Sequence, residues 1–135
     1  MGVSFDIEQK SCFYMVTEFV SQGSLFDMLH VRKHRLEPLR IINIAKQIAI
    51  ALRYLHNREL LHCDLKSQNV LINFDWTVKL CDFGLSRYKG KFSADNHGKI
   101  GTPHWMAPEI LRAEKYQSAS DVYSFGVVVW EMLLG

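Results

Sequence analysis

His62-Cys63-Asp64-Leu65-Lys66-Ser67-Gln68-Asn69 sets an acid, a cation and an amide (Asp64, Lys66 and Asn69) inside one short polar run. Apolar residues flank it: Glu59-Leu60-Leu61 leads in and Val70-Leu71-Ile72 leads out. A polar loop between two short buried strands holds charged groups in fixed positions, because the strands supply rigidity and the loop supplies chemistry. A second acid follows the second strand, in Asp82-Phe83-Gly84.

Working outward, Cys12 to Val20 is rich in aromatic and β-branched residues and predicts a buried strand. Ser21-Gln22-Gly23-Ser24 breaks it, and Ser24 suits the cap of a short helix over Leu25 to Leu29. Pro38 fits the first turn of a longer helix reaching about Asn57. There Ile41, Ala45, Ile48, Leu52 and Leu55 recur at steps of three and four, so one face is expected in the core. Val70-Leu71-Ile72 and Val78-Lys79-Leu80, joined by Asn73 to Thr77, predict a hairpin. Gly84 to Ala107 has little periodicity, and its polar Lys89 to Lys99 part predicts an exposed, mobile loop. Asp121 is expected to open a helix that is apolar on all sides, ends at Leu134-Gly135 and belongs in a core. Strand, two helices, hairpin and final helix follow one another, a mixture that suits an α+β chain.

Composition narrows the function. The 135 residues suit a single domain, and a hydrophobic share of 48% is that of an ordinary globular chain. A net charge of +2 gives no reason to expect nucleic acid or a membrane surface as partner. Arg32-Lys33-His34-Arg35 reads as a solvated helix end rather than an anion site. Three cysteines without metal-ligand spacing point to free thiols in a reducing, cytoplasmic type of compartment. No apolar run reaches the ~18 residues that a membrane span requires. Met1-Gly2 opens like a myristoylation signal, but Asp6 stands where that signal needs Ser or Thr.

The pattern H-x-D-L-K-x-x-N, then D-F-G, then Ala107-Pro108-Glu109, resembles the signature set of protein kinases in order and spacing. Gly101-Thr102-Pro103-His104-Trp105-Met106 and Asp121-Val122-Tyr123-Ser124-Phe125-Gly126 extend the likeness over essentially the whole chain. Lys66 within Asp-Leu-Lys-Ser-Gln-Asn, with Gly101-Thr102-Pro103, is similar to serine/threonine kinases. Trp105 to Glu109 and Asp121 to Gly126 look tyrosine-kinase-like. That mixture resembles the tyrosine-kinase-like group, the mixed-lineage and Raf-like serine/threonine kinases.

The resemblance implies a partial kinase fold, with residues 1–20 as the last small-lobe strands and hinge and residues 21–135 as an incomplete large lobe. It implies ATP and Mg²⁺ as cofactors and a protein Ser or Thr hydroxyl as acceptor. Phosphoryl transfer asks little covalent work of a protein; positioning and charge neutralisation do most of it. By resemblance Asp64 accepts or orients the substrate hydroxyl proton, and Lys66 neutralises charge on the transferring group. Asn69 and Asp82 supply the hard oxygens that Mg²⁺ favours. Thr17 is implied beside the adenine, Glu18 and Val20 bond its edge through the backbone, Leu71 lies beneath it, and Ser24 sits near the ribose. Thr102 is implied to bond Asp64. Cys81 would face the nucleotide as a small, inert hydrophobe.

Departures from the family carry expectations of their own. Cys63 stands where most kinases have the arginine that pairs with a phosphate on the activation segment, so control through a phosphorylated Ser93 is expected to be weak. No glycine-rich loop or strand lysine precedes Val3, and Glu109 has no evident partner. The chain reads as a kinase domain truncated at both ends and inactive alone. Two rival readings stay open: a non-catalytic interaction piece that docks a partner through its exposed C-terminal helix, and an incomplete gene model.

Overall fold

Proline lacks an N–H and has a φ already suited to a first helical turn, and helix α1 (Pro38–Asn57) begins at Pro38. The structure is a computed structural model that describes residues 2–5, 13–90 and 101–135, with 2–5 and 13–15 by their backbone alone. Cys12, Ser93 and the loop expected over Lys89–Lys99, apart from Lys89 and Gly90, lie outside the described residues.

Strands β1 (Gly2–Phe5) and β2 (Phe13–Val16) form an antiparallel pair with Gly2 opposite Val16. β2 ends four residues before the expected Val20, since Val16 is paired with the first residue of β1. The chain then binds to strand β4 (Val70–Ile72): Gln22 N–H donates to Ile72 O at 3.0 Å, and Ile72 N–H donates to Gly23 O at 2.9 Å. Ser24 Oγ accepts the Asp27 N–H at 3.0 Å, as a cap should. The turn it opens widens into a π-helical turn over Asp27–Val31 rather than an ordinary short helix.

α1 buries Ile41, Ile44, Ile48, Leu52 and Leu55. Ile44 takes the inward position expected of Ala45, which is half-buried. β4 and β5 (Val78–Leu80) make the predicted hairpin, with Val70 opposite Leu80. Gln47 of α1 locks it in place: its Nε2 donates to Trp76 O at 3.0 Å and its Oε1 accepts Val78 N–H at 2.9 Å. Strand β3 (Leu60–Leu61) pairs with β6 (Arg87–Tyr88), a strand inside the stretch that periodicity left irregular. Two residues are too few to show a period; the pairing is set by the partner strand.

After the short α2 (Pro108–Leu111), helix α3 (Ser118–Leu134) begins three residues before Asp121. The cap is a reciprocal one between Gln117 and Ser120, with Gln117 N–H donating to Ser120 Oγ at 3.2 Å. Nor is α3 buried on all sides. Its inward stripe is Ser120, Asp121, Ser124, Val128, Glu131 and Met132, while Val122, Tyr123, Trp130, Leu133 and Leu134 are exposed. The stripe is mostly polar because it faces polar loops as well as the core. Glu109, expected without a partner, accepts the Ser120 hydroxyl at 2.7 Å. The main core lies among α1, α3, the hairpin and the Asp27–Val31 turn, and a smaller cluster joins Leu61, Cys63, Met106, Ala107, Ile110 and Tyr116.

Candidate active site

The 62–69 loop begins where β3 ends, and Asp121 grips it there. One carboxylate oxygen accepts His62 N–H at 3.0 Å and the other accepts Cys63 N–H at 3.1 Å. His56 Nε2 at 2.8 Å and the Tyr116 hydroxyl at 3.0 Å complete the set. Asp121 is fully buried, and a buried carboxylate is tolerable only when its lone pairs are occupied in this way. The grip also holds Cys63 at a φ of 66°, a left-handed conformation that costs a side-chain-bearing residue about 1–2 kcal/mol. Gly101 packs directly against that bend. A Cβ at Gly101 would lie 2.8 Å from Cys63 O, so the close approach of the 101–105 segment requires glycine.

That approach brings Thr102 to Asp64. The Thr102 hydroxyl donates to Asp64 Oδ1 at 2.8 Å, Lys66 Nζ donates to Thr102 Oγ1 at 2.8 Å, and Lys66 Nζ pairs with Asp64 Oδ2 at 2.8 Å. Asn69 Nδ2 donates to the Asp64 carbonyl at 2.8 Å, which fixes the backbone of the same residue from below. Asp64 is buried and Lys66 half-buried, so acid and cation are held together in a closed triangle with a hydroxyl.

His62 supports this arrangement. Its Nε2 lies 3.2 Å from Cys81 O, its Nδ1 accepts the Asp64 N–H at 3.4 Å, and its ring centroid is 5.2 Å from that of Phe83. Burial holds its imidazole below the usual value, against the pull of Asp121 and the other nearby acids. Burial likewise pushes the Cys63 thiol up to about 12, with the Asp121 charge adding to it, and raises Cys81 above the ordinary thiol value.

At the open end of the hairpin, Cys81 N–H donates to Asn69 O at 3.0 Å, so Asp82 follows directly beside Asn69. Asp82 is exposed, takes a φ of 59°, and accepts Gly84 N–H at 3.3 Å. With its amide nitrogen committed to Asp64, Asn69 keeps Oδ1 free of hydrogen bonds among the described residues. One free amide oxygen and one exposed carboxylate fit a hard cation that takes its remaining ligands from water and phosphate. Among the described residues no three His, Cys, Asp or Glu side chains gather as a self-sufficient metal site.

The residues expected around a nucleotide divide into two groups. Ser24 and Leu71 are neighbours across a β-bridge, although the Ser24 hydroxyl is engaged by Asp27 at 2.8 Å. Thr17 and Glu18 are exposed and Val20 half-buried, and Glu18 reaches the hairpin through Lys79 at 3.0 Å. Two residues at the centre of the network were not singled out from sequence for this role: Asp121, read as a helix opener, and Glu131, which accepts the Ser67 hydroxyl and the Trp105 indole N–H, each at 2.8 Å. The available signal was a pair of carboxylates in a helix that is otherwise largely apolar.

Among the described residues no helix is long and apolar enough to cross a membrane. Residues 1–135 match the family model of the protein tyrosine and serine/threonine kinases. The chain is similar to the serine/threonine-protein kinase CTR1 of Arabidopsis thaliana, 47% identical over 87% of this chain and 15% of that protein. It is 40% identical to the mitogen-activated protein kinase kinase kinase dlk-1 of Caenorhabditis elegans, over 90% of this chain and 13% of the relative. It is 41% identical to the dual specificity protein kinase shkC of Dictyostelium discoideum, over 88% of this chain and 24% of the relative. The chain thus spans less than a quarter of the length of these relatives. With the 62–69 loop, the Asp82-Phe83-Gly84 turn and the Ala107-Pro108-Glu109 segment arranged as described, the chain belongs to the protein tyrosine and serine/threonine kinase family, in its tyrosine-kinase-like group.

Proposed function

We propose that the protein carrying this chain transfers the γ-phosphate of ATP to serine or threonine hydroxyls of protein substrates. The observation that supports this most is the triangle of Asp64, Lys66 and Thr102, closed by three contacts of 2.8 Å. In this reading Asp64 orients the substrate hydroxyl and takes its proton, a contribution typically worth ~10²–10⁴-fold. Lys66 reaches the transferring group from the same side, and Thr102 fixes the angle between the two. Asn69 and Asp82 would hold Mg²⁺, which when bound neutralises charge on the nucleotide phosphates. Residues 1–20, with Thr17, Glu18 and Val20, are assigned to the small-lobe edge and hinge, and residues 21–135, with Ser24 and Leu71, to the large-lobe side of the nucleotide. The free thiols Cys63 and Cys81 suit a cytoplasmic setting.

The test uses the full-length protein with labelled Mg·ATP and a mixed protein substrate, followed by phosphoamino-acid analysis. Phosphoserine or phosphothreonine that disappears in Asp64→Asn supports the reading. Label on tyrosine as well would place the protein with dual-specificity relatives such as shkC. No transfer at all would favour a second reading, a non-catalytic docking module. The exposed Val122, Trp130, Leu133 and Leu134 on α3 favour that alternative.

A further inference from the structure

The linker that leads from β2 to the Asp27–Val31 turn is paired to β4 through its backbone at Gln22 and Gly23. Beyond Ile72 that pairing cannot continue, because Asn73 spends both backbone groups inside the hairpin turn. Its N–H donates to Thr77 O at 3.0 Å, and its O accepts Trp76 N–H at 2.9 Å. The side chain takes over. Asn73 Oδ1 accepts the Ser21 N–H at 3.0 Å and the Ser21 hydroxyl at 3.2 Å. Ser21 Oγ in turn accepts Phe74 N–H at 3.1 Å, and Gln22 Nε2 donates to Asn73 O at 2.8 Å. The linker needs such a hold. Gly23, at a φ of 75°, closes a turn onto Val20 O at 3.3 Å, and glycine is the residue freest to pivot. The Lys79–Glu18 pair is no substitute, since both side chains are exposed and an ion pair of that kind contributes little.

We infer that Asn73 is a positioning residue for the nucleotide: its amide oxygen fixes Ser21, and so the backbone of Val20 beside it, relative to Leu71. The inference rests on the proposed kinase function, in which the Val20 backbone bonds the adenine edge and Leu71 lies beneath it. Leu71 and Asn73 stand two residues apart at one end of the same hairpin. A bond from Asn73 to Ser21 therefore ties the segment that reads the edge to the strand that carries the floor. Recognition through the backbone depends on such a tie more than recognition through a side chain does, because a misplaced N–H has no second rotamer to try. Asn73 acts through Ser21 and not by contact with the nucleotide.

The full-length protein would be compared with its Asn73→Ala, Asn73→Asp and Ser21→Ala variants. Alanine at 73 removes the acceptor from a half-buried position, and aspartate keeps it. Ser21→Ala removes the hydroxyl arm and spares the N–H, so the hold stays testable should Asn73→Ala fail to fold. The readouts are amide hydrogen exchange and calorimetric titration with Mg²⁺ and AMP-PNP, an ATP analogue that is not hydrolysed. Asn73→Ala is expected to speed exchange at residues 20–23 about tenfold and to weaken AMP-PNP binding about tenfold, the scale of one lost hydrogen bond. Its ATP KM should rise with the peptide KM unchanged. Asn73→Asp stays within about twofold of the unmodified protein, and Ser21→Ala falls between the two. Faster exchange with unchanged AMP-PNP affinity would overturn the inference, as would equal losses in Asn73→Asp and Asn73→Ala. An unmodified protein that binds no AMP-PNP yet shows the exchange effect would sink the kinase reading, and the nucleotide role of Asn73 with it.

Discussion

Thr102 donates its hydroxyl to Asp64 Oδ1 at 2.8 Å, across 38 positions of sequence. The bond occupies a lone pair of the very carboxylate proposed to receive a proton, and Lys66 holds the hydroxyl oxygen from its other side. Thr102→Ala frees that lone pair but lets the carboxylate turn. Its kcat is expected to fall about tenfold, the cost of one charge-assisted hydrogen bond, while Thr102→Ser stays within about twofold of the parent. Steady-state kinetics on the three proteins decides it. Equal losses in the Ala and Ser variants would show that the methyl group, and not the hydroxyl, matters.

Asp121 anchors the fold as well as the site. Its four donors come from His56, His62, Cys63 and Tyr116, so its removal strands three buried donors and the half-buried His56 at once. Asp121→Ala is expected to destabilise by about 3–5 kcal/mol, since each buried donor left without a partner costs about 1–3 kcal/mol. Thermal or denaturant unfolding of the full-length protein measures it. A loss below about 1 kcal/mol would mean that water replaces the carboxylate without strain.

Much of this was legible in the sequence, and the exceptions have a common cause. Ile41, Ile48, Leu52 and Leu55 announced the inner face of α1, because amphipathic spacing is a local signal. The choice of Ile44 over Ala45 was not legible, since both positions lie near that face and only the partner surface selects. The 62–69 loop, the Asp82 turn and Thr102 could be located because motif residues sit close together in sequence. Asp121, Glu131 and the Ser120 partner of Glu109 were missed or misread because their meaning lies in bonds to residues far along the chain. Local patterns showed an apolar helix interrupted by two acids; that those acids faced inward depended on which loops came to meet them.

The two described cysteines should be chemically quiet. The Cys63 thiol is 2% exposed and pushed up to about 12 by burial and by the Asp121 charge, so almost none of it is thiolate near neutral pH. Cys81 is half-buried, and burial with the Asp82 charge raises it too. Treating the native protein with iodoacetamide at pH 7.5 and mapping peptides by mass spectrometry should leave both unmodified. Denaturant should make both react. Rapid native alkylation of Cys81 would show an environment more open or more positive than the one described.

His62 gives the stability of the protein a pH dependence. Its Nδ1 accepts the Asp64 N–H while its Nε2 faces Cys81 O, a pairing met by the neutral ring with its proton on Nε2. A second proton would face the Asp64 N–H directly. Burial works in the same direction, holding the folded-state value below the ordinary 6.5. The unfolded chain therefore binds more protons than the folded one from about pH 6.5 down to the lowered folded value. Stability falls as pH drops through that window, and this contribution is complete above it. Melting curves of the full-length protein between pH 7.5 and pH 5 should show the fall, and the non-titrating His62→Gln variant should show a shallower one. The other histidines are common to both proteins, so the difference in slope reports His62 together with the acids it faces, Asp64, Asp82 and Asp121. Parallel curves would mean that the ring titrates equally in both states, and that the bond to Asp64 places no demand on its tautomer.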